Sequence, residues 1–333
     1  MRKRGMIVSL MVLGLAVSML LVPGGPASAQ QKVIKLGLTA AEGTPEVVAS
    51  REFAKILAAK SNGAMRADIL AGGLGGGERD IVEGQQIGSL HMSVVSGIIQ
   101  NFDPAMMILE YEFLFKNEDH VKKVMNGPIG EQINKRLADK AKLRYLSIFM
   151  RTPRILTTSK PVNKVGDLKG LKIRVPEMPA RLALWRAMGA SPTPLAFPEV
   201  FTALQLGTID GQENPVGLIY SAKFHEIVKY LALTNHIYGF MLLTIGDEFY
   251  KSLTPEQRKW VEESAKEAAV FNDKYVKDTE ADFMAKVTKA MTVSKPDVAP
   301  WREATKDVYK QFLNVQGFGD LYTAIVDAGK EYK

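Results

Sequence analysis

The chain of 333 residues contains no cysteine. That absence excludes disulfides, thiolate metal centres, cysteine nucleophiles and a lipid-modified cysteine at the N-terminus. A chain of this length can bury a core large enough to do without covalent staples. Histidine is scarce as well. The four present, His91, His120, His225 and His236, show no i, i+4 pair and no His-Glu-x-x-His frame, so no metal site is called for. There is no Gly-x-Ser-x-Gly elbow for a hydrolase, and no motif implies a cofactor. Low-complexity linkers are absent too. The formal charge is +7, but the lysines are spread along helical stretches rather than blocked together. A solvated surface is therefore expected, with no nucleic-acid partner.

Long apolar runs are missing except at the start. Arg2, Lys3 and Arg4 precede an apolar stretch from Met6 to Val22, followed by "PGGPASAQ". A positive segment, an apolar segment and the small-x-small site Ala27-Ser28-Ala29 predict a signal peptide over residues 1–29, cleaved after Ala29. An uncleaved N-terminal anchor is the alternative; the shortness of the run and the Pro-Gly-Gly-Pro break favour cleavage. The expected mature protein is soluble and resides in a bacterial periplasm.

What is present is an alternation of short strands and amphipathic helices. "VIKLGL" (33–38) reads as a strand, Pro45 and Glu46 open a helix, Asn62-Gly63 stops it, and "AMRADIL" (64–70) returns to strand period. The pattern resumes with "RYLSIFM", "LKIRVP" and the helices opened by Pro179 and Pro198. Such alternation predicts an α/β fold with largely parallel sheet. The stretches "QQIGSLHM" (85–92) and "LQLGTIDG" (204–211) share one grammar of helix end, glycine and strand, which suits two lobes built from the same unit. From Thr254, with Pro255 and Glu256 behind it, apolar residues recur at helical spacing through Met291, too far for a helix that sits on one lobe.

The run "AGGLGGGERD" (71–80) invites a phosphate-loop reading and fails it. Gly72 and Gly77 have the right separation, but Glu78-Arg79 stand where lysine and a hydroxyl residue belong. It reads instead as a strand-to-helix loop. Glu78 and Asp80 suit the positive end of the following helix, and the loop's backbone could line a cleft. Glu110 and Glu112 lie two apart, a spacing that chance also supplies.

The informative place is "LKIRVPEMP" (171–179). Leu171, Ile173 and Val175 alternate with Lys172 and Arg174, and Pro176 ends the strand. Arg174 thus stands at the carboxyl end of a strand, where open α/β sheets bind ligands. A guanidinium there suits a carboxylate, whose two oxygens match its fork of donors; a plain surface arginine is the other reading.

The blocks "DLKGLKIRVP" (167–176), "GASPTPLAFPEVFTALQLGTIDGQENP" (189–215) and "KYLALTNH" (229–236), with "IKLG", "GERDIVEGQQIGSLHM" and "RILTTSKPV" in order around them, resemble the solute-binding subunits of TRAP transporters, the DctP-like family. The resemblance implies a two-lobed periplasmic-binding-protein fold with a ligand cleft between lobes and a long helix spanning both. The expected division is 30–151 plus 240–280 for the first lobe and 152–239 plus 281–333 for the second. The resemblance also implies a carboxylate ligand clamped by Arg174, with Arg154 and Asn214 as further donors, Phe197 packed on the ligand and Glu177 beside it. Tyr238 and Phe240 are wall candidates, with core aromatics as the alternative, and Arg151 could add charge or serve as a hinge residue. The implied partner is a TRAP-type membrane permease that receives an organic acid from a monomeric, non-enzymatic protein. The uncharged stretch "SVVSGIIQNF" argues for a small or more apolar acid over a heavily hydroxylated one. An enzyme acting on an acid is a competing reading, with Glu177 or His91 as its base; a receptor-coupled sensor is another.

Overall fold

A computed structural model describes residues 31–332; the expected signal peptide lies outside the described residues. Eleven strands form two sheets. In chain order they are β1 (Lys32–Gly37), β2 (Met65–Leu70), β3 (Met92–Val95), β4 (Leu143–Met150), β5 (Arg154–Thr158), β6 (Lys172–Val175), β7 (Ser191–Pro194), β8 (Gly211–Pro215), β9 (Tyr230–Ile237), β10 (Phe240–Gly246) and β11 (Thr292–Ser294). The first sheet has the order β2-β1-β3-β10-β4 and the second β11-β9-β5-β8-β6-β7.

The chain passes between the sheets twice by short connections. Residues 151–153 join β4 to β5, and residues 238–239 join β9 to β10. One ribbon therefore runs from the first sheet into the second while its neighbour runs back. That geometry makes the sheets mixed rather than largely parallel. β10 is antiparallel to β3 and β4, and β5 is antiparallel to β8 and β9. Parallel pairing is confined to the outer units, β1 with β2 and β3, β6 with β7 and β8, and β9 with β11.

Each sheet has its own buried apolar core. The helix Pro255–Ala290 joins them without a break. Its start is a capping box: Thr254 Oγ1 accepts from the Gln257 N–H at 3.2 Å, and Gln257 Oε1 accepts from the Thr254 N–H at 3.1 Å. Val261, Ala265 and Ala268 enter the core beneath the first sheet, whereas Phe283 and Val287 enter the core beneath the second. Between these patches Asn272 is buried, and its amide donates at 2.9 Å to the Met150 carbonyl at the end of β4. The helix is thus pinned where the chain leaves the first sheet.

The C-terminal stretch packs against more than one core. Trp301 packs in the core of the second sheet, but Val308, Phe318, Leu321 and Ile325 pack with Ile108, Val121 and Tyr145 on the first sheet's side. The helix Phe318–Ala328 carries a strongly apolar face, and the first sheet's helices provide the surface that covers it.

Candidate functional site

A cleft opens where the two sheets meet. Its walls come from both. Leu38, Glu46, Glu78, Val94, Ser96, Ile98 and Glu110 belong to the first sheet's side, and Arg154, Arg174, Glu177, Phe197 and Asn214 to the second's. Strand pairing brings the second set together. β5 lies beside β8 with Ile155 opposite Asn214, and β6 lies on the other side of β8 with Arg174 opposite Gln212. Arg154 opens β5, Arg174 is near the end of β6, and Asn214 is in β8, so residues sixty positions apart in sequence share one wall.

The arginines differ in how they are paired. Arg154 is buried and forked onto Glu213, with Nε–Oε2 at 2.5 Å and Nη2–Oε1 at 2.9 Å. Arg181, also buried, pairs with Glu213 and reaches Glu112 at 3.2 Å. His236 Nε2 lies 3.0 Å from Glu213 Oε2, and its Nδ1 lies 2.7 Å from Thr234 Oγ1. Burial alone would push the Glu213 carboxyl up, but Arg154 and Arg181 hold it well below the usual carboxylate range. Burial pushes His236 down, against the pull of Glu213. Burial pushes Glu112 up to about 7 despite Arg181, and the Trp185 indole N–H donates to it at 3.0 Å. Arg151 at the first crossing is held by Glu46 at 2.7 Å.

Arg174 is the exception. It is 3% exposed, and its Nε and Nη2 donate to one carbonyl, that of Leu195, at 3.0 and 2.7 Å. Its guanidinium carbon sits 5.9 Å from the centre of the Phe197 ring. Among the described residues it is the buried arginine without a carboxylate partner. Burial without that compensation pushes it down to about 10.

Five of the six residues singled out for ligand binding line the cleft: Arg174, Arg154, Asn214, Phe197 and Glu177. Tyr238 does not. It is half-buried against the core of the first sheet's side, because the connection after β9 turns its side chain into that packing. Phe240 is buried in the same core. His91, the second base considered for an enzyme, is away from the cleft: its Nδ1 accepts from the Lys35 N–H at 2.9 Å, and its ring lies 4.3 Å from that of Phe249.

Glu46, Glu78, Glu110 and Arg151 complete the wall. Sequence reasoning had given Glu46 and Glu78 helix-start roles and had treated Glu110 and Glu112 as chance neighbours. The glycine loop closes the cleft edge. Gly72, Gly73 and Gly76 have φ of +68°, +78° and +92°, values that a β-carbon resists. A β-carbon on Gly73 would lie 3.5 Å from Pro198, and one on Gly77 would lie 3.7 Å from Ala196. The loop thus abuts the opposing "AFP" turn, and Glu78 behind it, rather than its own amides, faces the cleft.

Residues 36–316 match the family model described as bacterial extracellular solute-binding protein, family 7, DctP. The chain belongs to this family. Among its relatives is a solute-binding protein of Roseobacter denitrificans, 35% identical over 84% of this chain and 87% of that one. The 2,3-diketo-L-gulonate-binding periplasmic protein YiaO of Escherichia coli is 30% identical over 83% of each. The Roseobacter denitrificans TRAP periplasmic solute-binding protein, solved with bound L-galactonate, superposes with a TM-score of 0.85 at 33% identity, covering 90% of this chain and 99% of that chain. One from Polaromonas, bound to D-erythronate, gives 0.84 at 32% identity over 89% and 98%. The two-sheet architecture of this TRAP solute-binding protein is therefore the family's own, and its cleft sits between the two domains.

Proposed function

We propose that this TRAP solute-binding protein takes up a small organic acid with its carboxylate on Arg174 and passes it to a TRAP-type permease. The observation that carries the reading is the buried, carboxylate-free guanidinium of Arg174. An uncompensated buried charge is costly, and a ligand carboxylate removes that cost on binding. Asn214, whose amide nitrogen donates to Gln212 at 2.6 Å, lines the same wall and supplies further polar contact. Phe197 flanks the site from above Arg174. Leu38, Val94, Ile98, Leu218 and Met241 give the ligand body an apolar bed, which supports a compact acid. Bound galactonate and erythronate in the two solved relatives support the class.

Closure follows from where the contacts lie. The Asn101 amide donates at 3.0 Å to the Glu177 carbonyl across the cleft, and the Ala180 N–H donates to Gln100 Oε1 at 3.3 Å. A ligand touching both walls favours the state in which these contacts exist, and that closed form is the one a permease would recognise. Export to the periplasm and action as a monomer belong to the same reading.

The test is calorimetric titration and thermal shift with a panel of mono- and dicarboxylates. An acid that stabilises the native protein should lose its effect in Arg174→Ala, and its methyl ester should not bind. An acid that binds Arg174→Ala as tightly as the native protein would sink the clamp.

A further inference from the structure

Three charged groups on the cleft wall are left without a hydrogen-bonded partner of opposite charge after the close ion pairs are assigned. Arg151 is taken by Glu46, Arg154 by Glu213, and Arg181 by Glu112 and Glu213. Arg174 remains on the second sheet's side, and Glu110 and Glu78 remain on the first's. Glu110 is 1% exposed, and neither of its carboxylate oxygens has a hydrogen-bond partner. Its nearest cation, Arg154 Nη1, is 3.7 Å away, too far for a hydrogen bond. Glu78 accepts only long bonds from Ser96, at 3.4 Å from the N–H and 3.3 Å from the hydroxyl. Glu78 and Glu110 both line the cleft, so the two acids face one space, and burial and then the charge of Glu110 push the Glu78 carboxyl up. A ligand that places its carboxylate on Arg174 leaves this acid pair to be met by its other end.

We infer that Glu110 and Glu78 determine specificity: the cleft takes a monocarboxylate whose far end carries O–H or N–H donors, and it rejects dicarboxylates. The inference rests on the Arg174 reading. Glu110, buried without a donor, and Glu78, held only by long bonds, carry a desolvation cost that hydroxyl or ammonium hydrogens offset. A second carboxylate in the same place adds like-charge repulsion and brings no donor. The remaining cation at the cleft, Arg79, is exposed and engaged with Glu83 at 3.0 Å, so it does not offer a second buried anion site. Glu177 stands at the mouth in solvent and adds a further negative charge.

Matched acids isolate the far end. 4-Hydroxybutanoate, 4-aminobutanoate and succinate share one skeleton, and galactonate and galactarate share a longer one. On the skeleton the protein accepts, titration calorimetry should give the donor-ended acid at least about tenfold tighter binding than the diacid. Glu110→Gln keeps the shape and removes the charge; it should cut that ratio to about threefold or less, mainly through a gain by the diacid. Glu78→Gln should move it the same way, and a thermal melt confirms that each variant is folded. A diacid that binds the native protein as tightly as its donor-ended partner overturns the inference. So does an unchanged ratio in both folded variants. If neither skeleton binds, or if binding survives Arg174→Ala, the carboxylate reading itself fails and this inference with it.

Discussion

Arg154 and Arg174 stand on the two strands of one sheet that flank β8, and both are buried at 3% exposure. The family resemblance puts both on the ligand, Arg174 as the clamp and Arg154 as a further donor. Arg154 is forked onto Glu213 and reinforced by Glu110 at 3.7 Å, so the protein's own carboxylates raise its affinity for its proton. Arg174 leans on a single carbonyl and is pushed down to about 10. The first is a structural charge, complete within the fold. The second is incomplete, and its missing partner has the chemistry of the ligand. On the proposed reading, it is the unpaired charge and not position at the cleft that marks the ligand clamp.

The largest expected effect lies on the structural side. Glu213→Gln leaves Arg154 and Arg181 facing each other with half their compensation gone. Breaking a buried pair from one side costs about 3–5 kcal/mol, and urea unfolding of the ligand-free protein should show a loss of that order. A loss under about 1 kcal/mol, the worth of a surface pair, would mean that the network is solvated and the distinction between the two arginines is false.

Next comes the clamp. Arg174→Ala should cost about 2–5 kcal/mol of binding free energy while leaving the ligand-free protein as stable as before or more so. Arg154→Ala should do the reverse in emphasis, with a large loss of stability that precedes any effect on binding. Arg174→Lys should recover part of the binding only, since an ammonium cannot make the forked contact. If both alanine variants lost stability equally, Arg174 would be another structural charge.

What could be read beforehand follows the range of the interactions. Alternation in "LKIRVP" places Arg174 at a strand end, and Thr254, Pro255 and Glu256 announce the start of the long helix, because these signals are local. The fate of Arg154 was not legible. It depends on Glu213, 59 positions away, and the meaning of Glu112 depends on Trp185, 73 positions away. Glu110 and Glu112 looked like chance neighbours because the spacing of two acids says nothing about which cations the fold brings to them. The antiparallel crossings escaped for the same reason, since alternating strands and helices do not state which sheet a strand joins.

Glu112 lets pH divide the same network. Its carboxyl is pushed by burial from the usual range up to about 7, so the folded state holds a proton that the unfolded state releases near the ordinary glutamate value. The stabilisation is full below about pH 4.3 and is lost as pH rises through about 7. His236 and Glu213 act in the opposite sense. Both are depressed in the fold, so their stabilisation is present above their ordinary values and is lost as pH falls. The Glu213 window lies below the ordinary glutamate value, so between pH 5 and 8 only His236 opposes Glu112; the native protein should show a shallow net dependence there, and Glu112→Gln should make stability rise more steeply with pH over that span. Urea unfolding at pH 5 and pH 8 reads this directly. A Glu112→Gln variant whose stability falls more than the native protein's from pH 5 to 8 would reverse the assigned sign.

The smallest effect tests how the walls are brought together. Asn101 is partly exposed, and its one inter-wall bond goes to the Glu177 carbonyl at 3.0 Å. A single neutral hydrogen bond is worth about 0.5–1.5 kcal/mol, so Asn101→Ala should weaken ligand binding by a factor of about 2–12. Asn101 takes no part in the Glu213 network, so ligand-free stability should stay within about 0.5 kcal/mol of the native value. Calorimetry for the first quantity and urea unfolding for the second separate the two. A loss of stability without a loss of affinity would place Asn101 with the structural residues and remove it from the closing contact. The opposite split would tie it to Arg174, as a contact whose value appears only when the ligand holds both walls.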